Sequence, residues 1–203
     1  MKKLLCTLLC LVAVLTLFSC NSTPKVKGTV YAQITMMDGG VITLQLDGDT
    51  APITVGNFVK LANEEFYDGI IFHRVIEGFV IQGGDPTGNG TGGSAQKIKG
   101  EFALNRVTNN ISHKRGVISM ARGNDKNSAS SQFFICHGDC SADLDGRYAA
   151  FGWVIAGMDV VDKIASVDTN YYDKPLAVQR MKSVRIVDKD TAMAAVAAEA
   201  SAK

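Results

Sequence analysis

Short apolar-rich segments separated by glycine-containing breaks recur along most of this chain, the pattern of strands joined by turns. Residues 29–36 and 41–46 are β-rich and flank Asp38-Gly39-Gly40, a hairpin signal. Further short strands are predicted near 70–76, 79–82, 116–120, 132–135 and 151–154. Residues 181–187 alternate apolar and polar and read as a closing strand. Two segments follow helical spacing instead. Across 52–62, Ile53, Val55, Phe58, Val59, Leu61 and Ala62 make a mostly apolar surface. Pro52 suits the first turn of that helix, and Thr50 or Asp49 is placed to cap it. A second helix is expected from Met158 to about Ser166, with Val160, Val161 and Ile164 facing inward. Many strands and two helices predict a barrel capped by helices. Residues 189–203 are alanine-rich, a nascent helix or a disordered tail, and receive no function.

The N-terminus departs from this pattern. Lys2 and Lys3 precede a 15-residue apolar run from Leu4 to Phe18, broken only by Thr7 and Thr16. That is short of the roughly 20 residues needed to span a bilayer, so a signal sequence is expected. The run ends in Leu17-Phe18-Ser19-Cys20, which resembles a bacterial lipobox. Residues 1–19 are therefore expected to be removed, and Cys20 to carry a lipid that anchors the protein to a membrane. Asn21 is not the acidic residue associated with inner-membrane retention, so the periplasmic side of the outer membrane is favoured within the cell envelope. Residues 20–28, polar and containing Pro24, read as a tether.

Composition narrows the picture further. The chain of 203 residues holds one domain, expected over 29–188, and its 46% apolar content excludes disorder as the main state. Cutting before Cys20 removes Lys2 and Lys3 and leaves 19 basic against 20 acidic side chains, a formal charge of −1. So balanced a surface gives no electrostatic case for nucleic-acid binding.

Cys136 reads as a buried strand residue and Cys140 as a loop thiol, the short loop between them making a disulfide of little value. The run Cys136-His137-x-x-Cys140 is not read as a metal site, because neighbours on a strand point to opposite faces. His73 and His113 are read as structural, hydrogen-bonded histidines. The glycines of 88–93 lack the lysine and helix of a phosphate loop, and no Gly-x-Ser-x-Gly elbow occurs.

The chemistry concentrates in Phe72-His73-Arg74-Val75-Ile76-Glu77-Gly78-Phe79-Val80-Ile81-Gln82-Gly83-Gly84-Asp85 and in Ser131-Gln132-Phe133-Phe134-Ile135. Alternation places Phe72, Arg74 and Ile76 on one face of the first strand, and Val80 and Gln82 together on its return. A cation, an amide and aromatic carbon on one surface suit a neutral, partly apolar ligand with a carbonyl to grip.

These segments resemble the cyclophilins. So do Gly90-Thr91-Gly92-Gly93, Gly116-Val117-Ile118-Ser119-Met120-Ala121-Arg122, Leu144-Asp145-Gly146 and Phe151-Gly152, all in order between residues 29 and 188. The resemblance implies a mainly β fold, an eight-stranded antiparallel β-barrel closed by two α-helices. It implies a peptidyl-prolyl cis/trans isomerase needing no cofactor or metal, acting as a monomer on proline-containing polypeptides. Arg74, Phe79 and Gln82 would be catalytic. Val80, Ala121, Arg122, Gln132, Phe134, Leu144 and Tyr148 would bind substrate, with the main chain of 121–122 mattering more than the Arg122 side chain. Two positions depart from the family: Asp143 stands where many members carry tryptophan, and Tyr148 where many carry histidine. Weak cyclosporin binding is the expected consequence.

Overall fold

The protein is described by a computed structural model covering residues 23–202. The leader, Cys20 and the start of the tether lie outside the described residues.

Among the described residues nine strands form one antiparallel sheet: β1 (Thr29–Met36), β2 (Val41–Asp47), β3 (Ile71–Phe72), β4 (Arg74–Ile76), β5 (Val80–Gly83), β6 (Val117–Met120), β7 (Phe133–Cys136), β8 (Ala149–Ala156) and β9 (Gln179–Val187). Their order is β3-β9-β1-β2-β8-β6-β7-β5-β4. β3 pairs with β9 at one margin and β4 with β5 at the other. Only His73 separates β3 from β4, so the chain itself joins the two margins and closes the barrel. The His73 N–H donates to the Gln82 carbonyl at 3.0 Å, and Ile71 bridges Asp85, so β3 runs on beside β5. The expected eight strands become nine because the predicted strand 70–76 is broken at His73.

That break corrects the expected alternation. Phe72 turns into the core, 1% exposed, with its ring 6.1 Å from that of Phe133. Val75 is also in the core, three residues on, and Arg74 between them faces out. Phe72 and Arg74 do not share a face, because one residue outside the ladder reverses the period-two register.

The barrel interior is filled by Ile34, Leu44, Phe58, Phe72, Ile81, Ile118, Phe133, Ile135 and Phe151, all under 2% exposed. Phe58 sits at its centre, 5.2 Å from the Tyr67 ring, 5.7 Å from Phe133 and 5.5 Å from Phe151.

Phe58 belongs to α1 (Pro52–Asn63), which starts at Pro52 as expected. Its expected cap does not form: neither Thr50 nor Asp49 bonds the helix start. The buried carboxylate of Glu101 does so from 47 residues away, accepting from the Ile53 N–H at 3.1 Å, the Thr54 N–H at 2.8 Å and the Thr54 hydroxyl at 2.7 Å. An anion at a helix N-terminus satisfies unpaired N–H groups and meets the positive end of the dipole.

Residues 23–28 lie across this helix. The Val26 N–H donates to the Pro52 carbonyl at 3.1 Å, and Thr23 accepts from Gln96 at 2.7 Å. Gly56 is glycine for this reason: a Cβ there would meet the Pro24 carbonyl.

The described residues hold four α-helices: α1 and α3 (Met158–Ala165), the expected pair, with α2 (Ser141–Leu144) and α4 (Lys189–Ser201) added. The alanine-rich tail is thus helical through Ser201. Asp188 caps it, accepting from the Thr191 N–H at 2.7 Å, and alanine favours helix. Ala192 is fully buried, and Glu199 accepts from the Gly157 N–H at 2.7 Å, which ties α4 to the start of α3. Among the described residues no helix is long and apolar enough to cross a membrane.

Candidate active site

A second, smaller apolar cluster lies outside the barrel: Val80, Val117, Phe134, Cys136, Leu144 and Ala150, flanked by Phe79, Ala121 and Tyr148. Alternation creates it. On β5, Val80 and Gln82 face out while Ile81 faces the core; on β7, Phe134 faces out between Phe133 and Ile135. The adjacent phenylalanines therefore divide, one for stability and one for the surface.

Strand register then aligns the chemistry. Arg74 pairs with Gln82, Gln82 with Phe134, and Phe134 with Ser119, so one rung crosses four strands. Directly paired residues stand about 5 Å apart at Cβ. A guanidinium, an amide and a phenyl ring thus stand side by side at the wall of a cavity of about 290 Å³. Arg74, Phe79, Val80, Gln82, Ala121, Arg122, Phe134, Leu144 and Tyr148 all line it. Gln132 does not; it lines an adjoining cavity of about 420 Å³ that shares Gln82, Ala121 and Arg122.

Gln132 acts on the first cavity through Gln82. Its Oε1 accepts from Gln82 Nε2 at 2.8 Å, while its own Nε2 donates to the carbonyls of Gly90 at 3.0 Å and Gly92 at 2.7 Å. The amide chain fixes the Gln82 plane and pins the 90–92 loop. Asp85 organises the other side of that loop, accepting from the N–H groups of Thr87, Asn89 and Gly90 at 2.8, 3.1 and 2.6 Å. Burial opposes its ionisation, but these donors and the Thr87 hydroxyl outweigh that and hold its pKa at about 2. The protein's own carboxylate thus takes the backbone donors of Asn89 and Gly90.

Phe134 is held on two sides. Tyr148 meets it edge-on, with centroids 5.8 Å apart at 81°. His113 lies almost parallel to it at 6.0 Å and 23°. Fully buried, His113 is bonded at both nitrogens, Nδ1 to Asp145 Oδ1 at 2.8 Å and Nε2 to Ser119 Oγ at 2.9 Å. Burial pushes its pKa down, so it is neutral, with Nδ1–H donated to the carboxylate and Nε2 accepting from the hydroxyl. Serine, histidine and aspartate so joined outline a hydrolytic triad, but Ser119 is 0% exposed, so the set braces Phe134. Sequence reasoning placed His113 as structural but missed its partners. Ser119 and Asp145 sit within recognised motifs, yet nothing in their spacing joins 113, 119 and 145.

The Arg122 side chain does more than expected. Its guanidinium lies 4.8 Å from the Tyr148 ring centre and 5.1 Å from that of Phe102, and its Nε donates to the Arg147 carbonyl at 3.0 Å. It clamps the wall that carries Tyr148, with the cation on an aromatic face. Asp143, by contrast, is exposed on α2 and lines neither cavity.

His73 differs from its expected state. It is buried, but neither ring nitrogen has a hydrogen-bond partner among the described residues. Burial pushes its pKa down, as do Arg74 and Lys174, against the pull of Asp85. It fills the break between β3 and β4 as a neutral ring.

Cys136 and Cys140 are free, buried thiols, and the Cys140 thiol donates to the Phe79 carbonyl at 3.1 Å. Cys140 is a loop thiol as expected, and a buried one, packed beneath a pocket residue. His137 accepts from the Gly78 N–H at 2.8 Å and bonds Asp162 through Nε2 at 3.0 Å. Both its nitrogens are committed.

Comparison with known proteins agrees with this geometry. A family model described as cyclophilin type peptidyl-prolyl cis-trans isomerase/CLD matches residues 31–186. Over 188 residues the chain is 38% identical to peptidyl-prolyl cis-trans isomerase A of Dickeya dadantii, covering 86% of this chain and 97% of that protein. It is 46% identical over 131 residues to peptidyl-prolyl cis-trans isomerase B of Bacillus subtilis, covering 64% and 87%. A crystal structure of a cyclophilin type peptidyl-prolyl cis-trans isomerase from Cryptosporidium parvum, in the presence of the dipeptide Ala-Pro, superposes with a TM-score of 0.71 at 29% identity, covering 78% of this chain and 99% of that one. The chain belongs to the cyclophilin-type peptidyl-prolyl cis-trans isomerase family.

Proposed function

We propose that this protein accelerates rotation about X–Pro bonds in exported polypeptides while held to the cell envelope by a lipid on Cys20. The rung Arg74–Gln82–Phe134 at one cavity wall carries the isomerase reading.

Resonance gives the X–Pro amide a rotation barrier of about 18–20 kcal/mol, so uncatalysed exchange takes tens to hundreds of seconds. Turnover on the order of 1,000 per second needs a barrier near roughly 13 kcal/mol, so the site must supply roughly 5–7 kcal/mol. No nucleophile is required. The prolyl ring packs against Phe134, Val80 and Leu144, leaving the preceding carbonyl free to swing. The Arg74 guanidinium hydrogen-bonds the prolyl nitrogen as it pyramidalises, which weakens the amide's double-bond character. The Gln82 amide, its plane fixed by Gln132, binds the peptide beside it. The contact to nitrogen strengthens toward the twisted state, which lowers the barrier rather than tightening substrate binding alone.

The motive for placing this activity outside the cytoplasm is the lysine-led apolar run ending at Cys20. There the clients are newly exported chains whose prolines limit folding.

The test is isomerisation of an Ala-Pro peptide by the purified protein and by Arg74→Ala. The wild type accelerates exchange and the variant loses most of that acceleration. Equal rates sink the mechanism. Peptide binding without acceleration points instead to a proline-recognising module. Labelled fatty acid incorporated into the wild type but not into Cys20→Ser supports the anchor; no incorporation removes it.

A further inference from the structure

Residues between α3 and β9 fold into a built loop. Thr169 bridges Pro175, and the Asn170 N–H donates to the Lys174 carbonyl at 2.9 Å. Asn170 Oδ1 accepts from the N–H groups of Tyr172 at 2.9 Å and Lys174 at 3.1 Å. The loop docks beside the cavity, where the Val75 N–H donates to the Asp173 carbonyl at 2.8 Å. Lys174 reaches the Gly88 carbonyl at 3.3 Å.

Asp173 stands at φ 61°, a left-handed conformation that glycine adopts freely and aspartate tolerates. Its Oδ2 accepts from Arg74 Nε at 3.3 Å. The two side chains are 38% and 41% exposed, and ion pairs this open contribute little to stability. Their consequence is orientation. A guanidinium is a rigid plane of five donors. With Nε turned to Asp173, the Nη groups are the donors left for the cavity that Arg74 lines.

We infer that Asp173 is a positioning residue for Arg74, holding the guanidinium edge-on so that its terminal donors meet the prolyl amide. This rests on the isomerase reading above. Asp173 lies 99 residues from Arg74, on a loop outside every motif of the resemblance.

Two substitutions isolate the carboxylate. Asp173→Gly deletes it yet keeps a backbone that φ 61° does not strain. Asp173→Asn keeps an acceptor oxygen. On an Ala-Pro peptide, kcat of Asp173→Gly should fall about three- to tenfold, with KM changed less than about twofold, as misorientation of a catalytic group predicts. The melting temperature should hold, and Asp173→Asn should keep most of the wild-type kcat. In an Arg74→Ala background, Asp173→Gly should change nothing further. A wild-type kcat for Asp173→Gly, or an equal further loss in the Arg74→Ala background, overturns the inference. If the wild type itself gives no acceleration, the isomerase reading fails instead. The contact is then tested by NMR: the Arg74 Nε–H resonance must shift in Asp173→Gly, and an unmoved resonance refutes the pairing.

Discussion

His113 stacks on Phe134 at 6.0 Å while its two ring nitrogens are spent on Asp145 and Ser119. Behind the cavity wall therefore lies a polar network covered by a phenyl ring. Replacing His113 with alanine opens a hole behind Phe134 and leaves the Ser119 hydroxyl buried without its partner. We expect a loss of about 2–4 kcal/mol in unfolding free energy, combining a cavity with an unmet hydrogen bond. The isomerisation rate should fall as well, because Phe134 loses its backing. Urea unfolding and peptide assays on the same sample check both effects; unchanged activity would mean Phe134 holds its place without His113.

Glu101 should matter to stability and not to catalysis. It replaces the expected cap at the start of α1, and with it anchors Phe58 at the core centre. Glu101→Gln retains one acceptor and loses the charge, at an expected cost of about 1–2 kcal/mol. The midpoint of urea unfolding should drop while kcat/KM at 25 °C stays at the wild-type value.

Acid should destabilise the protein in two stages. Burial holds both His73 and His113 below the ordinary value of 6.5. The unfolded chain then takes up protons before the native one does. From these histidines, stability is level between about pH 6.5 and pH 8 and declines as pH falls below that range, at up to about 1.4 kcal/mol per pH unit for each histidine. Below about pH 4, Asp85, held at about 2 in the fold, adds a further loss. Melting temperatures from pH 8 to pH 3 give the profile. Replacing His73 with leucine should flatten part of the first stage, and an unaltered slope would remove His73 as its source.

Cyclosporin should inhibit weakly. Tyr148 packs at nearly a right angle to Phe134 beneath the Arg122 guanidinium, and Asp143 puts an exposed carboxylate on α2. Tyr148 alters the wall of the cavity, and Asp143 adds a charge outside it. Inhibition of peptide isomerisation at submicromolar cyclosporin would refute this expectation.

Residue order alone located much of the pocket. Val80, Gln82 and Phe134 follow from strand alternation, because on a strand the face is fixed by sequence parity. The same rule failed at Phe72, since His73 leaves the ladder to let one chain serve both margins of a closed barrel. No local pattern encodes that break. Helical spacing likewise placed α1 and α3, whereas the α1 cap fell to Glu101, well outside the helix. The tail was open in the sequence because alanine favours helix without specifying a partner; burial of Ala192 and the Glu199–Gly157 bond decided it.

What the sequence by itself determined, then, is which groups line the cavity and the strands that present most of them. These are short-range matters of alternation, turn chemistry and motif. The tertiary structure decided what holds those groups still: Gln132 on Gln82, His113 with Asp145 behind Phe134, Arg122 over Tyr148 and Asp173 on Arg74. The hydrogen bonds among these contacts join residues 32 to 99 positions apart, brought together only when the barrel closes.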